Sequence, residues 1–174
     1  DPFTKLKLDK SIAEIKERNI FKTVSSEVKD GSEKNLKIVE INVEEKATGE
    51  ISAGAGIGTN GGTFAFQVRE NNWLGQGKNV GFDVEINEES FRGTLNYENP
   101  NYDFLGNSIN YSISNTSNDV PDMGYENSII SAGIGTSFEQ YKDLAASLGI
   151  SASYDDLRTD SNASASLKKQ SGNF

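Results

Sequence analysis

The segment Asn71-Asn72-Trp73-Leu74-Gly75-Gln76-Gly77 joins two stretches in which apolar and polar side chains alternate. The apolar positions are Phe64, Phe66 and Val68 before the turn, and Val80, Phe82, Val84 and Ile86 after it. A period of two places such residues on one face of a strand. An aromatic residue in the turn between two such strands is typical of a membrane-barrel hairpin at the water–lipid boundary. The segment therefore predicts a pair of antiparallel transmembrane strands.

The composition of the 174-residue chain is compatible with a barrel and excludes several other classes. Only 34% of the residues are hydrophobic, and no run approaches the ~20 apolar residues of a transmembrane helix. A transmembrane strand interleaves its apolar residues with polar ones, so its mean hydropathy stays low. The absence of Cys and His removes disulfides, thiolate nucleophiles and the commonest general base. A net charge of −9 argues against a nucleic-acid partner.

The first 47 residues differ from the rest and predict a small α+β module. Ser11 and Glu14 have the spacing of a capping box, and isoleucines nearby supply an apolar stripe. Two alternating stretches then flank the turn Asp30–Lys34, where Gly31 suits a position with positive φ. The predicted elements are a helix over about 9–19 and strands over 23–29 and 36–45.

The chain from Gly49 onward shows no helical pattern and up to eight strand patterns. The predicted spans are 49–58, 62–70, 78–87, 90–99, 107–117, 125–138, 142–154 and 161–170, the last being the weakest. The faces opposite the apolar ones carry Ser, Asn, Thr, Gly and scattered charge, which indicates a hydrated lumen rather than a second packed sheet. We therefore predict a mainly β fold, a partial antiparallel up-and-down transmembrane β-barrel of about eight strands.

A weak internal repeat connects two of the turns. Glu70–Gly75 is echoed by Glu98–Gly106, and both segments end in Leu-Gly, 31 residues apart. In an up-and-down meander that spacing places both turns at the same rim. Trp73, Tyr102 and Phe104 are then predicted rim anchors within one aromatic girdle. The turns of the opposite rim are polar and acidic.

The sequence resembles the BamA family of outer-membrane β-barrel assembly proteins over residues 1 to about 110. The turn Asn72–Gly77, with its Asn-Trp-Leu-Gly core, is the most specific of four features that occur in the family's order. The other three are the hairpin end Val43–Lys46 running into Thr48-Gly49, the Gly-rich strand Gly54–Thr59, and the Asn99-Pro100 turn ending at Gly106. The resemblance implies that 1–47 is the C-terminal part of a periplasmic POTRA domain. It also implies that 48–174 is the N-terminal part of a barrel, in a fragment of a longer protein.

The same resemblance implies a function without catalytic residues, cofactors or metal ions. It implies that the protein folds and inserts β-barrel proteins into the outer membrane by strand templating at a lateral gate. Implied partners are nascent outer-membrane proteins, accessory lipoproteins and outer-membrane lipid. The implied location is the outer membrane, with the N-terminal segment in the periplasm.

The strand 49–58 is the predicted site of that function, because its small residues leave an edge that opens and accepts an incoming strand. The predicted gate residues are Ile51, Ala53, Gly54, Ala55, Gly56, Ile57 and Gly58. A simpler interpretation is that these glycines only relieve crowding inside a curved sheet.

Two other functions remain alternatives at this point: a related secretion or translocation pore of the wider family, and a soluble β-sandwich binding module. Gly56–Gly61 matches the dinucleotide pattern G-x-G-x-x-G, but a strand pattern follows it where that motif needs a helix. The loop acids lack EF-hand spacing, and the adjacent Glu88 and Glu89 diverge in direction, which disfavours calcium binding and glycoside hydrolysis.

Overall fold

Two compact units make up the chain, residues 1–48 and 49–174. The structure is a computed structural model that describes residues 3–33, 35–58, 61–103, 105–141 and 144–173. Across these ranges, no helix combines the length and apolarity needed to span a membrane.

The first unit consists of a helix and a β-hairpin, as predicted. Its elements are α1 (Lys5–Glu17), β1 (Phe21–Asp30) and β2 (Lys37–Glu45), with β1 and β2 antiparallel. The helix begins four residues before the predicted start because Thr4 is its N-cap: the Thr4 hydroxyl accepts a hydrogen bond from the Lys7 N–H at 3.3 Å. Ser11 lies inside the helix, so the predicted capping box is wrong.

The turn between β1 and β2 also differs from its prediction. Gly31 does not have a positive φ. Its N–H donates to the Leu36 carbonyl at 2.9 Å, and a Cβ on Gly31 would stand 2.8 Å from the Leu36 Cβ. Glycine is therefore needed here for the close approach of Leu36 and not for an unusual backbone conformation.

The second unit is one antiparallel sheet in which every strand pairs with its neighbours in sequence. Its strands are β3 (Gly49–Gly58), β4 (Gly61–Glu70), β5 (Asn79–Asn87), β6 (Ser90–Asn99), β7 (Ser108–Val120), β8 (Tyr125–Tyr141), β9 (Leu144–Thr159) and the short β10 (Gly172–Asn173). Short 3-10 turns at Trp73–Gly75 and Pro121–Met123 follow β4 and β7. This order confirms the predicted up-and-down meander.

The predicted strand over 161–170 is wrong. Residues Ala165–Gln170 form a helix, α2, whose N-cap is Ser164; the Ser164 hydroxyl accepts from the Leu167 N–H at 3.3 Å. Ala, Leu, Lys and Gln are all good helix formers, and they outweigh the weak alternation in this segment. The chain returns to the sheet only at β10, which pairs with Leu157 and Asp156 at the end of β9.

The two faces of the sheet differ sharply in chemistry. On one face, Leu95 of β6 pairs with Phe82 and Ile113 on the neighbouring strands; on the other, Thr94 pairs with Asp83 and Ser114. We call the apolar face the lipid face and the polar face the lumen face.

The lipid face is exposed rather than covered by a second layer. Within the described part of this unit, Ala163 is the only hydrophobic residue that is buried, and Ile57 on the lipid face is 95% exposed. An apolar surface of this extent is unfavourable in water and favourable against lipid tails. A sandwich has two sheets packed face to face, whereas the described part of this unit forms a single sheet.

Candidate functional site

The predicted gate strand β3 is one of the two edge strands of the described sheet, and β10 is the other. Among the described residues its only strand partner is β4, and all ten of its residues are exposed. The predicted gate residues alternate between the faces. Ile51, Ala53, Ala55 and Ile57 lie on the lipid face with Val68, Phe66 and Phe64 of β4, and Gly54, Gly56 and Gly58 lie on the lumen face. Because strand backbone groups point alternately to either side, an outermost strand presents unpaired N–H and C=O groups.

The glycines of β3 are not packed against neighbouring side chains. A Cβ added at Gly54, Gly56 or Gly58 would meet no described atom within 4 Å. The glycines of β8 differ: a Cβ at Gly135 would overlap the Asn110 amide oxygen and lie 3.3 Å from the Leu148 carbonyl oxygen. Among the described residues, crowding accounts for Gly135, and no such crowding surrounds the glycines of β3.

The lumen face beside β3 carries a network of polar side chains. Gln67 donates to the Asp83 carboxylate, and the Arg69 guanidinium lies 3.8 Å from the same carboxylate on the neighbouring strand. Ser52, Gly54 and Ala65 line a shallow concavity of about 290 Å³ with Asp83, Glu85 and Arg92. In the described ranges, no group of three or more Asp or Glu side chains is arranged to hold a metal ion. The surface is thus a hydrated wall with its charges partly paired.

The turns at Trp73 and Tyr102 lie at the same rim, as predicted, and they share one hydrogen-bond pattern. Asn72 accepts from the Gly77 N–H at 2.7 Å, and Asn101 accepts from the Gly106 N–H at 2.8 Å. The Trp73 N–H donates to the Lys78 carbonyl at 2.9 Å, as the Tyr102 N–H does to the Asn107 carbonyl at 3.0 Å. The structural repeat is therefore 29 residues, and the predicted alignment on Leu-Gly, 31 residues apart, is wrong. Phe104, the third predicted anchor, lies outside the described residues.

A further aromatic residue at this rim was missed by sequence reasoning. A β-bulge lies between Glu139 and Tyr141, so that Tyr141 pairs with Leu144 of the lipid face. Both side chains are exposed, Tyr141 by 75%. A strict period of two would assign Tyr141 to the lumen face. The bulge shifts the alternation by one residue and thereby places Tyr141 on the lipid face. The alternation therefore carries no signal for Tyr141 as an anchor.

The carboxylate of Asp103 helps to order the second of these turns. Burial works against its ionisation, but the Leu105 N–H donates to it at 3.0 Å and the Asn107 side-chain amide also donates to it. Together these hydrogen bonds hold the pKa of Asp103 below its ordinary value. Asn101 and Asp103 thus both order this turn through their acceptor side chains.

Removing the Asn72 side chain tests this turn pattern. We expect Asn72→Ala to lower the free energy of unfolding by about 0.5–1.5 kcal/mol, because the Gly77 N–H loses its acceptor. Urea unfolding of the intact protein in lipid vesicles measures the change. The neighbouring Asn71→Ala serves as the control and is expected to be nearly neutral; an equal loss in both variants would show that the hydrogen bond to Gly77 does not matter.

Comparison with known proteins identifies the family of this sheet. The Omp85 superfamily domain matches residues 72–174, more than half of the chain. The chain belongs to the Omp85 superfamily. Proteins of this superfamily are β-barrel proteins of the outer membrane, which agrees with the exposed lipid face and the polar lumen face described above.

A solved Omp85 structure shows the same fold. The chain is similar to BamA from Haemophilus ducreyi lacking POTRA domains 1–3, with a TM-score of 0.73 and 20% sequence identity. The match covers 87% of this chain and 30% of that one, so the chain spans less than a third of that structure's length. At this identity the likeness establishes a BamA-like fold, with an open sheet that corresponds to part of a barrel.

Proposed function

We propose that this Omp85 chain contributes the gate strand of an outer-membrane protein insertase. In this proposal the edge of β3 pairs with a strand of a nascent outer-membrane protein, and the lumen and lipid faces continue into the incoming sheet. Residues 1–47 are the end of a periplasmic POTRA domain, and accessory lipoproteins act with it. The proposal assigns no catalytic residue, cofactor or metal ion to the chain.

The observation that carries the proposal is the side-chain-poor lumen face of β3, the first strand of the meander, where a Cβ added at Gly54, Gly56 or Gly58 meets no described atom within 4 Å. An unpaired strand edge in lipid leaves N–H and C=O groups without hydrogen bonds, at a cost of several kcal/mol for each group. An incoming strand that pairs with β3 removes that cost, so pairing supplies the driving force without ATP. Because Gly54, Gly56 and Gly58 carry no side chains on the lumen face, they place no bulk in the path of that strand.

The short apolar stretch of β3 supports a second part of the proposal, local thinning of the bilayer. On β3 the lipid-face apolar residues run from Ile51 to Ile57, roughly 20 Å at ~3.3 Å per residue. On β9 they run from Leu144 to Tyr154, roughly 33 Å on the same basis. A bilayer that matches β3 must be thinner than one that matches β9. Thin lipid beside the gate would ease the entry of a client strand.

Disulfide trapping in the full-length protein tests the proposal. Single cysteines at positions 52–58 are combined with cysteines scanned along the terminal strand of a client barrel during assembly. Strand pairing predicts crosslinks in which the reactive client position moves by one residue for each residue moved along β3. Heat-modifiable gel mobility shows that each cysteine variant has itself assembled.

Cysteines at positions 63–67 of β4 are the matched control, because β4 is paired on both sides. We expect these positions to give no client crosslinks. Crosslinks from β4 as frequent as those from β3, or crosslinks from β3 without a constant register, would contradict templating by this edge.

A further inference from the structure

The rim opposite the Trp73 turn is connected from one hairpin tip to the next. The Asp119 N–H donates to the Glu89 carbonyl at 2.7 Å, and the Asp160 N–H donates to the Gly124 carbonyl at 2.9 Å. Gly124 has a φ of +69°, and a Cβ there would stand 2.5 Å from the Ala163 N atom. Both connections are hydrogen bonds between backbone groups. At Gly124 the turn after β7 also packs closely against the segment that follows β9.

Among the described residues, the start of β4 is connected to the same rim by a side chain. Glu88, in the turn between β5 and β6, accepts a hydrogen bond from the Gly62 N–H at 3.3 Å. The last pair of the β4–β5 ladder is Thr63 with Asn87, so Gly62 and Glu88 would form the next pair. The Glu88 carboxylate therefore takes the place of a backbone acceptor and extends the β4–β5 pairing by one residue pair.

Gly61 makes room for this carboxylate. One Glu88 carboxylate oxygen lies 2.8 Å from the place where a Cβ on Gly61 would stand, and the carboxyl carbon lies closer still. Gly61 also has a φ of +83°, which favours glycine. A side chain at position 61 would thus displace Glu88 from its hydrogen bond.

The turn that carries Glu88 is itself well ordered. The Asn87 side chain accepts from the Glu89 N–H at 2.9 Å and from the Ser90 N–H at 2.7 Å. This arrangement fixes the backbone from which Glu88 reaches back to Gly62. The Glu88 side chain is exposed to water, so its contact opens more easily than the backbone bonds elsewhere on the rim.

We infer that Glu88 is a positioning residue, a latch that holds Gly62, at the start of β4, against the turn that follows β5. The latch adds to the β4–β5 ladder in holding the first hairpin to the rest of the sheet, so its loss raises how often the hairpin moves away and how readily the β3 edge is presented. The inference deepens the proposed function and rests on it for its consequence in client assembly. The hydrogen bond and its effect on hairpin mobility are independent of any client.

Hydrogen exchange on the intact protein in lipid nanodiscs tests the latch. We expect Glu88→Ala to raise amide exchange across 50–58 and 61–70 roughly fivefold, because one hydrogen bond at the start of β4 is lost. Glu88→Gln keeps an acceptor oxygen and is expected to stay near the wild-type exchange. Glu89→Ala is the matched control: it removes the same charge from the same turn, but Glu89 acts through its backbone carbonyl.

The outcomes separate the latch from the proposed function. Unchanged exchange in Glu88→Ala, an equal rise in Glu89→Ala, or an equal rise across β8 and β9 would overturn the latch. Client crosslinking from β3 is measured on the wild-type protein in parallel. Its absence would overturn the insertase proposal and leave the exchange result to decide on the latch alone.

Discussion

Arginine in place of Leu95 is expected to lower the free energy of unfolding by about 2–4 kcal/mol, the cost of a cationic side chain near the middle of the bilayer. Leu95 lies midway along β6 on the lipid face, between Phe82 and Ile113, and its side chain is 47% exposed. In a lipid environment that exposed fraction meets acyl chains, which cannot solvate a guanidinium. Urea titration of the intact protein in vesicles measures the loss.

The adjacent Thr94 offers a matched control on the other face. Thr94 pairs with Asp83 and Ser114, so Thr94→Arg places the guanidinium on a hydrated wall beside a carboxylate. We expect a change below about 1 kcal/mol for that variant, as for other surface substitutions without a special contact. Similar losses in both variants would show that the two faces do not differ in environment, and the assignment of lipid and lumen faces would fail.

The contrast between these neighbouring residues was predictable from the sequence, because alternation is a local property. A period of two assigns each residue of a strand to one face of the sheet. A polar residue out of phase in one strand does not change the assignment of residues in the next strand. The limits of β3 and β6 were predicted correctly, and those of β4 and β5 to within one residue. These strands are short and mostly alternate along their whole length.

The ends of the later strands were harder to predict, for a physical reason. β7 runs to Val120 and β9 to Thr159, three and five residues beyond their predicted ends. There Asn118 donates to Asn127 across the ladder at 2.9 Å, with no apolar face involved. Polar residues in water pair by hydrogen bonds that hydrophobic periodicity does not register.

The turn repeat shows a different limit. The Leu-Gly dipeptide is the most conspicuous feature that the two turns share. The hydrogen-bonded pairs, however, are Asn72 with Gly77 and Asn101 with Gly106. Each pair is five residues apart, so the signal was present in the sequence. An alignment guided by acceptor and donor roles would have found the 29-residue period.

The candidate site, too, has features that the sequence predicts and features that it does not. The glycine-rich composition of β3 and its place as the first strand of the meander were visible in the sequence. The open space around Gly54 and the contact between Glu88 and Gly62 were not, because both depend on which residues face each other across strands. Thus a local pattern predicts the strand, and only the register reveals what surrounds it.

Valine in place of Gly135 is expected to destabilise the folded protein by about 1–3 kcal/mol, the usual cost of overpacking. A Cβ at that position meets the Asn110 amide oxygen and lies 3.3 Å from the Leu148 carbonyl oxygen, which belongs to the backbone and moves little. Gly54→Val is the counterpart on β3, where a Cβ meets no described atom within 4 Å. We expect the unfolding free energy of that variant to be unchanged or slightly raised, because valine favours strands.

The two valine variants also separate stability from function. If the bare edge of β3 serves the client strand, Gly54→Val slows client assembly while urea unfolding stays as in the wild type. Gly135→Val is expected to lower the stability measured by urea unfolding without a direct effect on client pairing. Adding Asn110→Ala is expected to restore part of the lost stability, because the amide that obstructs the new Cβ is gone. A stability loss in Gly54→Val equal to that in Gly135→Val would mean that crowding explains both sets of glycines. The simpler interpretation of β3, relief of crowding in a curved sheet, would then replace the gate.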